Sequence, residues 1–380
     1  MAASELERRL RAQLNRLDTE GLRRSLRAPS GIDFSSNDYL GLSSHPALRE
    51  AMAEAVAHEG CGSTGSRLLR GEREAFSQLE RRFARLKGTE RALYFSSGYL
   101  ANLAVLSTFA EAGDVIYSDQ HNHASLIDGA RLSKAQRRIF PHNDAAVLAA
   151  WMDEETAPGQ KFVVTESLFS MDGDIAPLAE YSRLARAHGA ALIVDDAHAV
   201  GIYGPDGAGL SSDAWVSVST AGKALGVCGA FVAGPEWAIE TLIQRARPFI
   251  FSTAAPPAVA AALEASLNLI EGEPWRRTRL LARAAYLRRC LAEAGITVPE
   301  GLSQIIPLVI GDNQRAMLVA QALQDRGFDA RAIRPPSVPD GTARLRLSVN
   351  TNLSELTLDR FVDALAAALK EYAACCAASS

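Results

Sequence analysis

Short apolar segments alternate with helical segments through the middle of the chain, and this alternation limits the possible folds more than any other feature. The apolar segments are rich in branched and aromatic residues, and the segments between them have helical periodicity. The strand candidates are residues 92–95, 114–117, 161–167, 190–198 and 216–220. The pattern predicts the α/β class, with a largely parallel sheet covered by helices on both faces.

The length of the chain predicts two lobes, because 380 residues exceed the size at which one core keeps growing. We expect an N-terminal segment at residues 1–42, a large domain at 43–270 and a smaller α+β domain at 271–380. Residues 1 to about 28 are predicted to form an Arg-rich amphipathic helix. Residues 258–294 are predicted to form a long helical region that leads into the smaller domain.

The composition excludes several classes of partner. Lys and Arg number 40 against 44 Asp and Glu, and the net charge of −4 offers no general attraction for nucleic acid or an anionic membrane. There is neither a signal-peptide pattern nor an apolar run long enough to span a bilayer. The five cysteines form no CxxC pair and no metal-ligand spacing, which favours a reducing cytoplasm and no metal site. They are Cys61, Cys228, Cys290, Cys375 and Cys376.

Polar residues follow several of the predicted strands. Parallel α/β sheets bind their ligands at the carboxyl ends of the strands, so these residues are expected to lie at one edge. They are Gly98, His123, Ser170, Asp195, His198 and Lys223. Their common position predicts one site built around the lysine.

Lys223 lies in a glycine-flanked turn within an apolar stretch. Loss of hydration there favours the neutral amine, which is a nucleophile and a base. Such a lysine can form a Schiff base with the aldehyde of pyridoxal 5′-phosphate (PLP). A surface lysine in a β-turn is the alternative interpretation.

The other strand-end residues can be arranged around this cofactor. Gly98 and Tyr99 begin a predicted helix, whose N-terminus suits a phosphate. Asp195 can keep the pyridine nitrogen protonated, whereas strand alternation points Asp196 the other way. His198 can donate to the phenolic oxygen and His123 can stack on the ring, although either histidine could be purely structural.

Arg334 lies in a loop stiffened by prolines. A guanidinium held there suits a carboxylate, and an ordinary surface arginine is the alternative.

Five motifs together resemble the α-oxoamine synthases, which are fold-type-I PLP enzymes of the aspartate aminotransferase superfamily. The motifs keep the family's order over essentially the whole chain. They are Asn-Asp-Tyr-Leu-Gly-Leu at 37–42, His-Ala-Ser at 123–125, Ser-Met-Asp-Gly at 170–173, Asp-Asp-Ala-His at 195–198 and Thr-Ala-Gly-Lys at 220–223. The resemblance implies a fold-type-I transferase with PLP as its cofactor.

The resemblance also implies residue roles. Catalysis is assigned to Lys223, His123, Asp195 and His198. Further contacts with the cofactor are assigned to Gly98, Tyr99, Ser170, Thr220 and Thr253. Thr253 resembles a residue that reaches the phosphate from a second subunit, which implies a homodimer with shared sites. Substrate binding is assigned to Arg23, Asn37, Arg334 and Ser337.

The reaction implied is the decarboxylative condensation of an amino acid with an acyl thioester. Residues 332–336 and 341–347 resemble members that join L-alanine to a pimeloyl thioester, carried by CoA or by acyl-carrier protein, in biotin biosynthesis. Ser66-Arg67 stands where some of these members carry a histidine, which bears on the acyl chain. The alternatives are a sister synthase acting on glycine or serine, such as glycine C-acetyltransferase, and a non-catalytic partner subunit. A nucleotide-binding oxidoreductase is disfavoured because no GxGxxG follows the first strand.

Overall fold

The computed structural model describes residues 4–372. The helices are α1 (Glu5–Thr19), α2 (Pro46–Glu59), α3 (Glu74–Lys87), α4 (Gly98–Phe109), α5 (Ala124–Leu132), α6 (Ala145–Asp153), α7 (Leu178–Ala187), α8 (Glu236–Arg245), α9 (Arg247–Ile250), α10 (Pro257–Gly272), α11 (Trp275–Glu293), α12 (Asn313–Asp325) and α13 (Glu355–Glu371). The strands are β1 (Ile32–Asp33), β2 (Arg91–Phe95), β3 (Val115–Asp119), β4 (Gln136–Phe140), β5 (Lys161–Glu166), β6 (Ala191–Asp195), β7 (Val216–Thr220), β8 (Ala230–Gly234), β9 (Ile305–Gly311), β10 (Phe328–Asp329), β11 (Ala332–Ile333) and β12 (Ala343–Ser348).

The chain divides into two compact units. The first, the sheet unit, comprises Asn37–Ser170 and Asp174–Arg279. The second, the terminal unit, comprises Met1–Ser36, Met171–Gly173 and Leu280–Ser380.

A seven-stranded sheet organises the sheet unit, in the order β2-β8-β7-β6-β5-β3-β4. All neighbours from β7 to β4 run parallel, and β8 is antiparallel to both β2 and β7. The predicted largely parallel sheet is therefore confirmed.

Apolar clusters cover both faces of this sheet. On β6, Ile193 packs into the cluster that contains the buried residues of α4. Its neighbours Leu192 and Val194 belong to the opposite cluster, which includes Leu148 of α6 and Tyr181 of α7. Successive strand residues point to opposite faces, so β6 is apolar up to its last residue, Asp195, because both of its faces are buried.

Polar residues end three adjacent parallel strands. Glu166 is the last residue of β5, Asp195 of β6 and Thr220 of β7. Since parallel strands end at the same edge, the fold brings these side chains to the edge where ligands bind in such sheets.

The terminal unit is built on a small antiparallel sheet. Its order is β11-β12-β9, and β1 pairs separately with β10 in parallel. Phe34 stacks on Phe361 of α13 with ring centroids 3.9 Å apart, and Phe328 meets Phe361 edge-on. This gives the unit an apolar core of its own.

Two helix predictions were wrong in extent. Helix α1 ends at Thr19 rather than near residue 28, and Gly21 follows with a φ of 63° that a continuing helix does not allow. The region predicted as one helix over 258–294 is two helices, α10 and α11. The break falls at Glu273-Pro274, where proline lacks the N–H that a helix interior requires.

Five strands were not predicted, and three of them, β1, β10 and β11, are only two residues long. Strand β4 is an edge strand with exposed arginine and glutamine side chains, so it lacks a strong apolar run. Strand β8 is wholly buried, but its sequence had been interpreted only as the apolar surroundings of Lys223. Strand β11 lies in the segment predicted to be a proline-stiffened loop.

Between residues 4 and 372, no helix has the length and apolar character needed to cross a membrane. Cys61, Cys228 and Cys290 are free thiols, and Cys375 and Cys376 lie outside the described residues.

Candidate active site

Lys223 follows β7 and makes a short polar contact. Its Nζ lies 2.7 Å from Nε2 of His198, and Nδ1 of the same ring lies 2.7 Å from the hydroxyl of Tyr39. The Tyr39 hydroxyl also donates to Oδ1 of Asn37 over 2.9 Å. These contacts join the four side chains into a continuous polar chain. Because Tyr39 and His198 are buried, the chain leads from the amine into the protein.

Lys223 is not the most buried lysine of the chain. Its residue is only partly buried, whereas the side chain of Lys87 is 3% exposed and is paired with Asp196 over 2.7 Å. The loss of hydration that the apolar neighbours of Lys223 in the sequence predict is therefore only partial. Many of the apolar residues that follow Lys223 along the chain belong to β8, and all five residues of this strand are buried within the sheet unit.

Asp195 is held by a second polar network. Its Oδ2 accepts from Nδ2 of Asn102 over 2.6 Å, and its Oδ1 accepts from the backbone N–H of Ala197. Asn102 also donates to Oγ of Ser125, and that oxygen lies 2.8 Å from Nδ1 of His123. The structure thus links the predicted residues Asp195 and His123 through two side chains that fix both of them.

Asp196 points away from this network, as strand alternation predicts. Its carboxylate accepts from Oγ of Ser167 over 2.6 Å and from Oγ of Ser211 over 3.0 Å, in addition to Lys87. Asp195 and Asp196 therefore enter separate environments although they are neighbours in sequence.

Glu166 adds a third carboxyl group at this edge. It is buried, and its Oε2 accepts from the backbone N–H of Ser170 over 3.2 Å. Burial raises the pKa of Glu166 to about 8, the charge of Asp195 adds to this rise, and Lys223 opposes it. Glu166 is therefore largely protonated at neutral pH.

His123 caps the start of α5 through its Nδ1, which accepts from the backbone N–H of Ser125. Burial lowers its pKa, as does the charge of Lys223, while Asp195 raises it. The imidazole is therefore neutral at physiological pH. A neutral aromatic ring suits stacking against a planar ligand.

The start of α4 has the features of an anion site. Ser97 caps the helix by accepting from the backbone N–H of Leu100, and Gly98 is the first helical residue. A Cβ added to Gly98 would stand 3.6 Å from the side chain of Thr220, so β7 and this helix start are adjacent. The exposed Tyr99 donates its hydroxyl to Asp128, and its ring meets His123 edge-on.

Thr253 lies elsewhere in the same unit. It lines a small cavity with Ser96 and Arg67, and the next residue, Ala254, donates its N–H to the carbonyl of Gly65.

Three substrate candidates belong to the terminal unit. Arg334 donates to the carbonyl of Gly21 and, over 3.4 Å, to the carbonyl of Arg23. The Arg23 side chain pairs with Asp18, and the backbone N–H of the exposed Ser337 donates to the carbonyl of Arg334.

The sequence analysis missed Asn102 and Glu166 and gave Tyr39 no role. Two of these could have been found. Glu166 ends an apolar strand just as Asp195 does, and Asn102 is a buried polar residue inside an otherwise apolar helix. Tyr39 gave no such sign, because only the folded chain brings it to His198.

No group of three His, Cys, Asp or Glu side chains within residues 4–372 is arranged to hold a metal ion. The titratable groups of the site are the amine of Lys223, the imidazoles of His123 and His198, and the carboxyl groups of Asp195 and Glu166.

Comparison with known proteins identifies the family. Residues 29–365 match the family model for aminotransferase class I and II. The 8-amino-7-oxononanoate synthase of Geobacter sulfurreducens is 43% identical, in an alignment that covers 96% of this chain and 99% of that protein.

Solved structures agree as well. A structure of serine palmitoyltransferase (SPT) with a PLP internal aldimine superposes on this chain with a TM-score of 0.91 at 30% identity. The alignment covers 98% of this chain and 100% of that one. A crystal structure of 8-amino-7-oxononanoate synthase from Francisella tularensis gives 0.77 at 30% identity, covering 90% and 98%. The predicted fold-type-I fold is thereby confirmed, as is the resemblance to the α-oxoamine synthases. This chain belongs to the class I and II aminotransferase family and, within it, to the 8-amino-7-oxononanoate synthases.

Proposed function

We propose that the protein condenses L-alanine with a pimeloyl thioester and releases 8-amino-7-oxononanoate, carbon dioxide and the free thiol, as a step of biotin biosynthesis. The thiol is that of CoA or of acyl-carrier protein. Family membership supports an amino acid and an acyl thioester as substrates. The observation that carries the proposal is the amine of Lys223 beside His198, at the strand edge where Asp195 lies in a polar network.

The cofactor is pyridoxal 5′-phosphate, and the described residues fit it. Two buried oxygens of the Asp195 surroundings have no hydrogen-bond partner among residues 4–372, Oδ1 of Asn102 and Oε1 of Glu166. Buried polar atoms are normally satisfied, so these oxygens indicate a polar ligand. When bound, PLP supplies an aldehyde for a lysine and a protonated ring that takes up carbanion charge.

The chain's own side chains have separate tasks toward this cofactor. Lys223 is the residue assigned to hold the aldehyde, and Asp195 keeps the ring nitrogen protonated by its negative charge. His123 would pack against the ring, and His198 would donate to the phenolic oxygen. Ser170, whose backbone N–H donates to Glu166, is assigned a place beside the cofactor.

The phosphate is assigned to the start of α4. The backbone N–H groups of Gly98 and Tyr99 and the helix dipole attract a dianion there. Thr220 contributes from the adjacent end of β7. Thr253 is assigned to the phosphate of a second subunit, and the protein therefore acts as a homodimer with shared sites.

Lys223 also performs the proton transfers of the reaction. Its neutral amine removes the proton from the α-carbon of alanine, and that carbon then bonds to the thioester carbonyl and expels the thiol. The carboxyl group leaves as carbon dioxide, and Lys223 returns a proton to the same carbon. The amino acid supplies the carbanion and the thiolate is the leaving group, so no outside oxidant or reductant is needed.

The alanine carboxylate is assigned to Asn37 and Arg334, Arg334 because a guanidinium can bind it through two donors. Arg23 is assigned to the acyl substrate, and Ser337 to the same region as Arg334.

The free thiols of Cys61, Cys228 and Cys290 support a reducing compartment, and we place the enzyme in the cytoplasm. The sequence offers no attraction for nucleic acid, and a freely diffusing thioester donor suits this location.

Steady-state turnover on a matrix of substrates tests the proposal. The amino acids are L-alanine, glycine and L-serine, and the thioesters are pimeloyl-CoA, pimeloyl-acyl-carrier protein, acetyl-CoA and palmitoyl-CoA. We expect the highest kcat/KM for L-alanine with a pimeloyl donor. A methyl group gives only about 1–3 kcal/mol of discrimination, so glycine should react at a reduced rate. Preference for L-serine with palmitoyl-CoA, the alternative suggested by the likeness to SPT, would contradict the proposal.

A further inference from the structure

The buried hydroxyl of Tyr39 lies between two polar partners. It is 2.9 Å from Oδ1 of Asn37 and 2.7 Å from Nδ1 of His198. The other nitrogen of the same imidazole, Nε2, lies 2.7 Å from the amine of Lys223. Tyr39 is fully buried and His198 is 4% exposed, so these contacts are shielded from competing water.

The positions of the hydrogens follow from what each atom can do. The amide oxygen of Asn37 can only accept, so the single hydrogen of the Tyr39 hydroxyl points to it. The hydroxyl oxygen then offers a lone pair to His198, and Nδ1 must carry the hydrogen of that contact. A neutral imidazole carries one hydrogen, so Nε2 is bare and accepts from Lys223.

We propose that Asn37 and Tyr39 are positioning residues that hold His198 as the proton acceptor for Lys223, an inference that rests on the proposed function. One proton moves from Nζ of Lys223 to Nε2 of His198, which leaves a neutral amine and an imidazolium. The imidazolium keeps its Nδ1–H on Tyr39, and its new Nε2–H can donate to the phenolic oxygen assigned to His198. No further reactant is required, because a proton only changes place within the protein.

Asn37 also ties this relay to substrate binding. Its Oδ1 is used by Tyr39, and its Nδ2 is the group that could donate to the substrate carboxylate. A carboxylate bound there fixes the orientation of the amide and thereby the direction of the Tyr39 hydroxyl.

The test reads the hydrogen positions directly. Full-length protein with ¹⁵N-labelled histidine is studied by long-range ¹H–¹⁵N NMR without cofactor, and the signals of His198 are assigned with His198→Gln. We expect wild-type His198 to carry its hydrogen on Nδ1. In Tyr39→Phe the hydrogen-bond partner of Nδ1 is lost. The ratio of the tautomer with its hydrogen on Nδ1 to the tautomer with its hydrogen on Nε2 should therefore fall about three- to tenfold, which is the effect of one hydrogen bond.

Asn37→Leu gives a prediction of opposite sign. Without Oδ1 as acceptor, the Tyr39 hydroxyl is free to donate to Nδ1, and the hydrogen of His198 should move to Nε2. In both variants PLP should react with Lys223 more slowly, which is followed by its visible absorbance.

Tyr181→Phe is the matched control, since the Tyr181 hydroxyl is buried and has no hydrogen-bond partner within residues 4–372. It should leave the His198 signals unchanged. Wild-type His198 with its hydrogen on Nε2, or variants with an unchanged tautomer ratio, would overturn the proposal. The position of the His198 hydrogen in the wild-type protein tests the proposal even if a variant fails to fold. It involves no substrate, so a wrong substrate assignment would appear in the turnover matrix alone.

Discussion

Two clusters diverge from the end of β6 and are built from similar residues. The Lys87 cluster consists of Lys87, Asp196, Ser167 and Ser211. The active-site cluster consists of Lys223, His198, Asp195, Asn102 and Glu166. Each contains a lysine and a carboxylate, and the two carboxylates are neighbours in sequence.

The clusters differ in whether their polar groups are satisfied. In the Lys87 cluster the amine binds Asp196, Ser211 and the carbonyl of Ala208, and both oxygens of Asp196 have partners. In the active-site cluster Glu166 and Asn102 each keep a buried oxygen without a partner within residues 4–372. The same residue types thus have complete hydrogen bonding in the Lys87 cluster and incomplete hydrogen bonding in the cluster to which we assign the cofactor.

Removing the amine of Lys87 should have the largest effect. Lys87→Met leaves the buried Asp196 charge uncompensated, and loss of one partner of a buried pair costs about 3–5 kcal/mol of the free energy of unfolding. Urea denaturation measures the loss. Lys370→Met, at an exposed position, should lie within about 0.5 kcal/mol of wild type.

The double variant Lys87→Met/Asp196→Asn sharpens this comparison. It removes both charges, so it should recover part of the lost stability. If Lys87→Met is as stable as wild type, the Lys87 cluster does not have the structural role assigned to it.

Asp195→Asn should affect chemistry rather than stability. The amide carries no charge to keep the cofactor ring protonated, so PLP should still bind while exchange of the alanine α-hydrogen with D₂O slows. We expect a loss of about 100-fold, or about 2.7 kcal/mol at 1.36 kcal/mol per decade, measured by NMR. An Asp196→Asn variant that loses exchange while Asp195→Asn keeps it would reverse the assignment of the two carboxylates.

Arg334 should behave as an incompletely bonded group in the terminal unit. Its partners there are two backbone carbonyls and Sδ of Met317, with no carboxylate among them, whereas Arg344 of the same unit is paired with Asp172 over 2.6 Å. A charge-assisted bond to the alanine carboxylate contributes about 1.5–3 kcal/mol, so Arg334→Ala should weaken alanine binding about ten- to a hundredfold. Lysine should restore only part, because it lacks the two-donor geometry.

Titration of the bound cofactor's visible band with alanine measures these affinities. Equal affinity in wild type, Arg334→Ala and Arg334→Lys would exclude Arg334 as the carboxylate ligand and direct attention to Arg344 or Arg346.

The effect of Glu166→Gln on stability depends on pH. The pKa of Glu166 is raised to about 8 in the folded protein, so between the ordinary value of 4.5 and 8 the folded state binds more protons than the unfolded state. Stability therefore falls as pH rises through this range, and the glutamine variant lacks this fall. One pKa unit corresponds to about 1.4 kcal/mol, so between pH 5 and pH 8.5 the wild type should lose on the order of 4 kcal/mol of stability relative to the glutamine variant.

Thermal unfolding of cofactor-free protein at pH 5 and pH 8.5 measures this difference. Glu50→Gln, at an exposed position, is the control. Parallel behaviour of wild type and Glu166→Gln across this range would contradict a protonated Glu166.

The sequence predicted the parallel sheet because β5 and β6 each contain a run of apolar residues, which is typical of strands buried on both faces. It did not predict β8, since five buried residues after a glycine-rich turn fit a strand or a loop equally well. Among the site residues, those that follow a strand could be found. Tyr39 could not, because its role depends on a contact across 159 residues of the chain.

The relative burial of the two lysines was also beyond the sequence. Apolar neighbours along the chain do not determine how a side chain packs. Lys87 is buried although it lies in the last turn of α3, where Arg85 and Lys87 would be expected to form a charged, exposed surface. Its burial follows from the tertiary contact with Asp196.

The most direct test of the account is to find which lysine reacts with the cofactor. The protein is incubated with PLP, reduced with borohydride, digested and mapped by mass spectrometry for the phosphopyridoxyl group. We predict a label on Lys223 and none on Lys87, because the amine of Lys87 is buried and fully bonded. A label on Lys87 with Lys223 unmodified, or no stable label at all, would contradict the account.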